Sequence, residues 1–368
     1  MPIGLLLMQW DDRIGAKIVA KHPEEIQLND KTLLQIISTH EYSGEIGMIS
    51  LLVGALNIAS FYTGPDTKLY INLLLSLDED PDAYEGGLSD VSRIILQNLD
   101  DGAYLKMIPS LYKRLSIFPT LNHEQSLAFL YQDEINRLVI HRLRDEGVFT
   151  KSELSVWLKD LYRKRYLDID GIVMDLNRKE ILKEATIKGI SSELIFFTND
   201  ILMLRVPPLE LLRNAVLKGL PETIVEEYRQ EVRKYFQTYR PSEDDNLKLL
   251  ELLTDPEVYQ VLKLLRMTIA TKNDLMKLQG KGVDDVDKAL KVLWNEKMIH
   301  VFQDTKGTEY YALNSDFHVS IMFPKYIVNT IIHEFDVKSK IDKVLIEYLN
   351  VLESNYYSIK NTQKIEEE

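Results

Sequence analysis

Residues 3–20, IGLLLMQWDDRIGAKIVA, decide the fold of the first part of the chain. Ile3 to Trp10 is an apolar run of strand length, which is typical of a central strand covered on both faces. Asp11 to Gly15 is a turn, because Gly15 can adopt a positive φ that other residues avoid. Residues 17–20 alternate like a returning strand. The sequence therefore predicts a β-hairpin here.

The segment after this hairpin continues the pattern of an α+β domain. Asn29 or Asp30 is predicted to cap a helix. The apolar face of that helix is predicted to consist of Leu33, Leu34, Ile36 and Ile37. Strand-like runs follow at 47–53, 56–62 and 68–77, and helices at about 84–99 and 103–115. An antiparallel five-stranded sheet packed against helices accounts for this order.

This part of the chain resembles a longin domain. The resemblance is carried by the hairpin at 8–19, MQWDDRIGAKIV, with Pro23 behind it, and by the order of elements over 1–118. The resemblance implies that this domain binds small GTPases and trafficking or nutrient-signalling partners. It also implies that the domain is not an enzyme, since longin domains are seldom enzymes. We expect a longin-like domain over 1–120.

The rest of the chain has a repeated pattern of helices and strands. Helices at about 132–146, 150–164 and 168–181 precede strands at 182–187, 194–197 and 201–206, which are predicted to form a hairpin. This order is typical of a winged helix. A second copy has helices at 256–265, 271–278 and 283–297 and strands at 298–303 and 309–313. It resembles archaeal and bacterial winged-helix regulators.

These patterns predict an α+β protein with several modules. The predicted limits are a first winged helix at 126–208, a helical hairpin and linker at 209–245, and a second winged helix at 246–322. An amphipathic helix at 323–357 and a disordered tail at 358–368 complete the prediction. Residues 241–245 are polar and acidic, which favours a linker at the end of the 209–245 segment.

Composition narrows the functional classes. The 368 residues carry a net charge of −13, which disfavours general binding to nucleic acid or anionic membranes. Only the middle of the chain has a net charge close to zero, since residues 126–240 hold 19 basic and 18 acidic side chains. The chain has no Cys, so disulfides and thiol chemistry are excluded. No apolar run is long enough to predict a transmembrane segment, and we expect a cytoplasmic, archaeal-type protein.

Winged helices commonly bind DNA by placing one helix of each copy in the major groove. The first turns of this helix carry Asp168, Asp170 and Asp175 in one copy and Asp284, Asp285 and Asp287 in the other. Carboxylates there oppose phosphates and base acceptors, although their simplest role is to cap the helices. A DNA-binding regulator therefore stays open as an alternative, but it is disfavoured.

The residues offer few candidates for chemistry. The strongest basic cluster is Lys159, Arg163, Lys164 and Arg165. A solvated helix face is the simpler interpretation, and a patch for an acidic partner or lipid headgroup is the alternative. Asp78, Asp80 and Asp82 have calcium-loop spacing, but Ala83 and Ser89 stand where Gly and Glu are needed. The sequence predicts no catalytic residue, metal site or cofactor.

A longin domain joined to winged helices resembles the nitrogen permease regulator-like proteins, which form a GTPase-activating complex for Rag-type GTPases. That family's catalytic member has an arginine finger in the loop before its fifth longin strand. The corresponding loop here, 63–68, contains Lys68 and no Arg, and a Lys lacks the planar fork of a guanidinium.

The sequence thus predicts a non-enzymatic scaffold or regulator that binds a small Ras- or Rag-type GTPase or another protein, with Lys68 and the basic cluster as candidate contacts. The alternatives are a winged-helix transcriptional regulator and an adaptor like the membrane-trafficking ESCRT-II subunits. Homo- and hetero-oligomers are both left open.

Overall fold

The computed structural model describes residues 2–11, 13–44, 46–99, 102–162 and 167–367, the last ten of these as backbone only. The first part of the chain is a mixed α+β arrangement. Its elements are β1 (Gly4–Asp11), β2 (Gly15–His22), α1 (Asp30–Ser43), β3 (Gly47–Val53), β4 (Leu56–Tyr62), β5 (Leu69–Leu75), α2 (Glu85–Gln97) and α3 (Tyr104–Ile117).

The predicted five-stranded antiparallel sheet is confirmed, with strand order β2-β1-β5-β4-β3. One face packs on α1 and the other on α2 and α3, so the central strands β1 and β5 are apolar on both faces. Gly15 has a φ of +81° and Asn29 accepts a hydrogen bond from the Thr32 amide, as the turn and the cap required.

The later elements run on in chain order. They are α4 (His123–Gln132), α5 (Glu134–Glu146), β6 (Val148–Thr150), α6 (Lys151–Leu161), α7 (Ile169–Arg178), β7 (Leu182–Ala185), β8 (Leu194–Phe197), β9 (Asp200–Val206), α8 (Leu209–Arg213), α9 (Val225–Thr238), α10 (Glu243–Thr254), α11 (Pro256–Met267), β10 (Ala270–Thr271), α12 (Lys272–Met276), α13 (Val286–Asn295), β11 (Ile299–Gln303), β12 (Glu309–Leu313), β13 (Asp316–Met322), α14 (Ile327–Asp336) and α15 (Asp342–Glu367).

The chain divides into two compact units. The N-terminal unit comprises residues 1–121 and 152–175, and the C-terminal unit comprises residues 122–151 and 176–368. The longin and winged-helix assignments and their limits stay predictions.

The C-terminal unit contains an internal repeat. The sheets β6-β8-β7 and β10-β12-β11 have the same strand order, and each is followed by a further strand, β9 or β13. Those two strands pair antiparallel, with Asp200 opposite Met322 and Asp316 opposite Val206. Each seven-residue strand thus starts opposite the other's end, so the register is two-fold symmetric about the pair Met203 and Val319.

The predicted hairpin that included 201–206 in the first copy is therefore wrong for its last strand. After β8 the amides of Thr198 and Asn199 both donate to the carbonyl of Ile181, which turns the chain away from the sheet. The amides of Asn314 and Ser315 do the same at Met298 in the second copy. Each turn leads into β9 or β13, and these two strands form an antiparallel two-stranded ribbon.

The helices that follow each copy pack on the other copy. Tyr228 of α9 donates a 2.7 Å hydrogen bond to the carbonyl of Leu313, at the end of β12. Tyr348 of α15 donates a 2.8 Å bond to the carbonyl of Phe197, at the end of β8. Both tyrosine side chains are fully buried. Each copy is thus bonded to a buried tyrosine from the helix that follows the other copy.

Two equivalent ion pairs hold the first residues of β9 and β13. Nε of Arg144 lies 2.9 Å from Oδ1 of Asp200, and Nε of Arg266 lies 2.8 Å from Oδ1 of Asp316. Arg144 lies in the last turn of α5 and Arg266 in the last turn of α11, and the two aspartates begin β9 and β13. The same side chains therefore fix the start of both strands.

The predicted acidic linker at 241–245 is wrong. Ser242 caps α10 by accepting from the Asp245 amide, so residues 243–245 form a first helical turn where carboxylates are favourable. Asp245 also pairs with the buried Arg205 at 3.1 Å and accepts a hydrogen bond from Tyr239. Residues 241–244 are exposed, and Asp245 is the residue of this acidic run that contacts the buried Arg205.

Two further helix predictions differ from the structure. The first helix of the hairpin predicted within 209–245 is short, since α8 ends at Arg213. The predicted helix at 323–357 is two helices, interrupted at 337–341, where Lys338 has a φ of +53°. The second of them, α15, continues to Glu367, past the start of the predicted disordered tail. Its apolar stripe is docked, with Val344, Leu345, Tyr348 and Leu352 buried and Ile341 and Leu349 exposed.

Candidate functional site

The outer face of α1 carries unexpected apolar exposure. Leu34, predicted to face the core, has 53% of its surface exposed, whereas Leu33, Ile36 and Ile37 are buried as predicted. Tyr42, two turns further along, is 95% exposed. The buried stripe of α1 is narrower than the sequence pattern, because a single helix on one sheet face can bury only the positions that point at the sheet.

A groove lies beside this face. Its volume is about 410 Å³, and its lining residues are Trp10, Lys31, Leu34, Gln35, Ile37, Ser38 and Glu41. We call it the α1 groove. It combines an indole and a leucine with one cation and one carboxylate, which is the mixture typical of a protein-binding surface.

Lys68 lies next to the strand that supplies Trp10. The Trp10 amide donates a 3.1 Å hydrogen bond to the Lys68 carbonyl, and the Gln9 side chain donates to the Thr67 carbonyl. Lys68 is half-buried with a φ of +49°, and its amide bonds to the Gly64 carbonyl. The loop is therefore held against β1, and Lys68 is adjacent in the backbone to the groove-lining indole.

The predicted basic cluster is only partly visible. Lys159 lies on α6 with an exposed side chain. Arg163, Lys164 and Arg165 lie outside the described residues. Lys159 and Lys68 are on different elements, so the two sets of predicted contacts are not one continuous run of sequence.

A buried polar chain that the sequence did not reveal lies under α1. Nε2 of His40 lies 2.9 Å from Oγ of Ser60, which lies 2.7 Å from Oδ1 of Asn72. All three side chains are at most 2% exposed. The Asn72 amide nitrogen donates to the carbonyls of Leu6 and Tyr70, which fixes its oxygen as the acceptor from Ser60.

This geometry sets the direction of every proton. Ser60 gives its one hydrogen to Asn72, so His40 must donate from Nε2 to the serine oxygen. Burial lowers the pKa of His40 to about 4, so the ring is neutral at neutral pH. A base would have to accept from the serine through Nε2. The Ser-His-Asn chain therefore holds α1 on β4 and β5 and is unsuited to activating a nucleophile.

The aspartates predicted at α7 are engaged within the N-terminal unit. Oδ1 of Asp168 accepts from the Gly171 amide at 2.9 Å, which caps the helix. Asp175 pairs with Arg93 of α2 at 2.6 Å, and this arginine also pairs with Asp90. The Arg93 side chain is 5% exposed. This side of α7 is taken up by protein contacts.

The corresponding helix of the second copy, α13, is acidic where it begins. Asp284, Asp285 and Asp287 are exposed, and the cap is made by Asp285, which accepts from the Lys288 amide. Lys272 forms an ion pair with Asp287. Exposed lysines occur only later on the helix, at Lys288 and Lys291. The first turn, which would approach bases, carries net negative charge.

Within the described ranges, no cluster of three or more His, Asp and Glu side chains could hold a metal ion. In the same part of the chain, no helix has the length and apolar character needed to cross a bilayer. No family model, curated protein or solved structure matches this chain.

Proposed function

We propose that this chain is a non-enzymatic regulator or scaffold that binds a small Ras- or Rag-type GTPase through its N-terminal longin-like module, with the winged-helix segments serving protein contacts. The observation that carries the proposal is the α1 groove with Leu34 and Tyr42 exposed beside it. Burying a large apolar side chain contributes roughly 1.5–3 kcal/mol, so a partner that covered these residues would gain affinity from them.

A second feature supports a protein partner at the same module. β3 is an edge strand of the sheet, and no other described strand pairs with its outer side. Leu52 on this strand is 63% exposed. An apolar groove and an open sheet edge are the two surfaces by which a folded module of this kind binds proteins.

The DNA-binding alternative is weaker on the charges. The first turn of α13 is acidic, and Asp175 of α7 is paired with Arg93. Affinity for duplex DNA comes mainly from cations placed against phosphates, and these turns present carboxylates instead. The proposal therefore assigns protein contacts to these helices.

The test is titration calorimetry of the full chain against purified Ras- and Rag-type GTPases of the same organism, each loaded with GDP or a non-hydrolysable GTP analogue. Leu34→Glu should weaken binding at least about tenfold, because the carboxylate must be desolvated in the interface. Leu105→Glu is the matched control, since Leu105 on α3 has 47% exposure. Absence of binding to any of these GTPases, or equal loss in both variants, would refute the proposal.

A further inference from the structure

The internal repeat of the C-terminal unit allows one half to be compared with the other. Pro207 directly follows β9, and Phe323 directly follows β13. Eight residues after the equivalent tyrosines Tyr228 and Tyr348, α9 has Phe236 and α15 has Tyr356. In the first half, Pro207 and Phe236 line the floor of a groove between α8 and α9.

In the second half, the chain's own Phe323 lies against Tyr356, which stays 41% exposed. The ring centroids of Phe323 and Tyr356 are 5.3 Å apart in an edge-to-face contact. Such pairs are favourable beyond the apolar area that they bury. The repeat thus shows what kind of side chain this site accepts.

In the first half, the same place is open. A groove of about 570 Å³ lies between α8 and α9, lined by Pro207, Leu209, Leu212, Arg213, Arg229, Val232, Arg233, Phe236 and Gln237. We call it the α8–α9 groove. Pro207 stands where the second half has Phe323, so the residue after β9 brings no ring to Phe236. The ring contacts of Phe236 are with Tyr235 and Tyr239, and Leu209 is left 55% exposed.

The rim of the α8–α9 groove is cationic. Arg213, Arg229 and Arg233 are exposed around the apolar floor, and Arg229 reaches Glu226 only at 3.8 Å. Counted from Pro207 and Phe323, Arg213 corresponds to Asn329. Counted from Tyr228 and Tyr348, Arg229 and Arg233 correspond to Leu349 and Glu353. Three guanidinium groups on one small groove stand out in a chain of net charge −13. Because Asn329, Leu349 and Glu353 are not basic, the three arginines are specific to the first half.

We propose that the α8–α9 groove binds a short acidic peptide segment of a partner protein, with one aromatic side chain seated on Phe236 and Leu209 and flanking carboxylates paired with the three arginines. The aromatic anchor takes the place that Phe323 has in the other half. Guanidinium groups pair with carboxylates in bidentate geometry, which gives this rim a preference for Asp and Glu over neutral residues. This site is separate from the α1 groove.

The experiment measures fluorescence anisotropy of a labelled heptapeptide, Glu-Asp-Glu-Phe-Glu-Asp-Glu, with the full chain at low salt. We expect saturable binding that weakens as NaCl rises from about 50 to about 300 mM. Arg213→Glu and Arg233→Glu should each weaken binding at least about tenfold. Lys234→Glu is the control, because Lys234 adjoins Arg233 in sequence but lines another groove, with Trp294 and His300.

Two further arms test the floor and the class of ligand. The peptide with Ala for Phe should bind at least about tenfold more weakly, and Pro207→Phe should block binding by covering Phe236 as in the other half. Equal binding of the Ala peptide would overturn the proposal, as would wild-type binding by the Arg213→Glu and Arg233→Glu variants. Tighter binding of a single-stranded oligonucleotide or of phosphatidylserine vesicles through Arg213 and Arg233 would also overturn it.

Discussion

The Tyr348 hydroxyl donates a 2.8 Å hydrogen bond to the Phe197 carbonyl, joining the last helix of the chain to a strand that lies far earlier in the sequence. Tyr228 makes the equivalent bond to Leu313. Because each bond links the helix of one copy to the sheet of the other, loss of either should weaken both copies.

We expect Tyr348→Phe and Tyr228→Phe each to lower the unfolding free energy by about 1–3 kcal/mol, because a buried carbonyl loses its donor. Tyr42→Phe, at a hydroxyl on a 95% exposed side chain, should change it by less than about 0.5 kcal/mol. Urea unfolding of the full chain, followed by circular dichroism, measures all three. If Tyr348→Phe lowered the unfolding free energy no more than Tyr42→Phe does, the hydrogen bond between the helix of one copy and the sheet of the other would contribute little to stability.

The buried Arg205 depends on the segment that the sequence suggested was a linker. Its side chain is 2% exposed, packs on Tyr235 and Tyr239, and pairs with Asp245. Asp245→Asn should lower the unfolding free energy by about 3–5 kcal/mol, because it leaves a buried charge without its counter-ion.

Asp244→Asn provides the matched control for Asp245→Asn, since its side chain is exposed one residue away and should cost less than about 0.5 kcal/mol. Thermal melting of the two variants side by side distinguishes a core contact from a solvated acidic run. Equal melting temperatures would support the linker.

His40 gives the N-terminal unit a defined pH dependence. Its pKa is about 4 in the folded chain because of burial, against about 6.5 in an unfolded chain. The unfolded state therefore takes up this proton first, and stability that is fully present above pH 6.5 is lost as the pH falls towards 4. The loss amounts to about 3 kcal/mol.

The comparison that isolates His40 is the pH dependence of unfolding in the wild type and in His40→Gln. The variant keeps an amide donor for Ser60 but does not titrate, so its stability should fall less steeply between pH 6.5 and 4. Parallel curves for the two proteins would mean that His40 is not held neutral by the fold.

Random-sequence duplex DNA should bind negligibly near physiological salt, because the carboxylates of Asp284, Asp285 and Asp287 would repel the DNA phosphates. A gel-shift titration at several salt concentrations measures this. Micromolar binding with a steep salt dependence would contradict the assignment of protein contacts to α13.

Local signals account for what the sequence predicted well. The turn at Gly15, the cap at Asn29 and the apolar runs of the five strands depend on neighbouring residues, so composition and spacing are enough to find them. The pairing of β9 with β13 was missed because it joins residues more than a hundred positions apart, and a strand pattern does not name its partner.

The candidate sites were harder to predict, since they depend on what the fold leaves uncovered. Leu34 fits the helical period of its buried neighbours but points past the sheet. The contrast between Pro207 and Phe323 has meaning only once the repeat aligns them. The sole hint in the sequence was that residues 126–240, where Arg213, Arg229 and Arg233 lie, are almost neutral in an otherwise acidic chain.

Hydrogen exchange of the full chain, alone and with a bound Ras- or Rag-type GTPase, tests the central claim most directly. Exchange reports on backbone protection segment by segment, so it locates the contact without a substitution. The proposal predicts new protection over α1, residues 30–43, and over the Lys68 loop, with α13 unchanged. Protection confined to the C-terminal unit, or none at saturating GTPase, would contradict it.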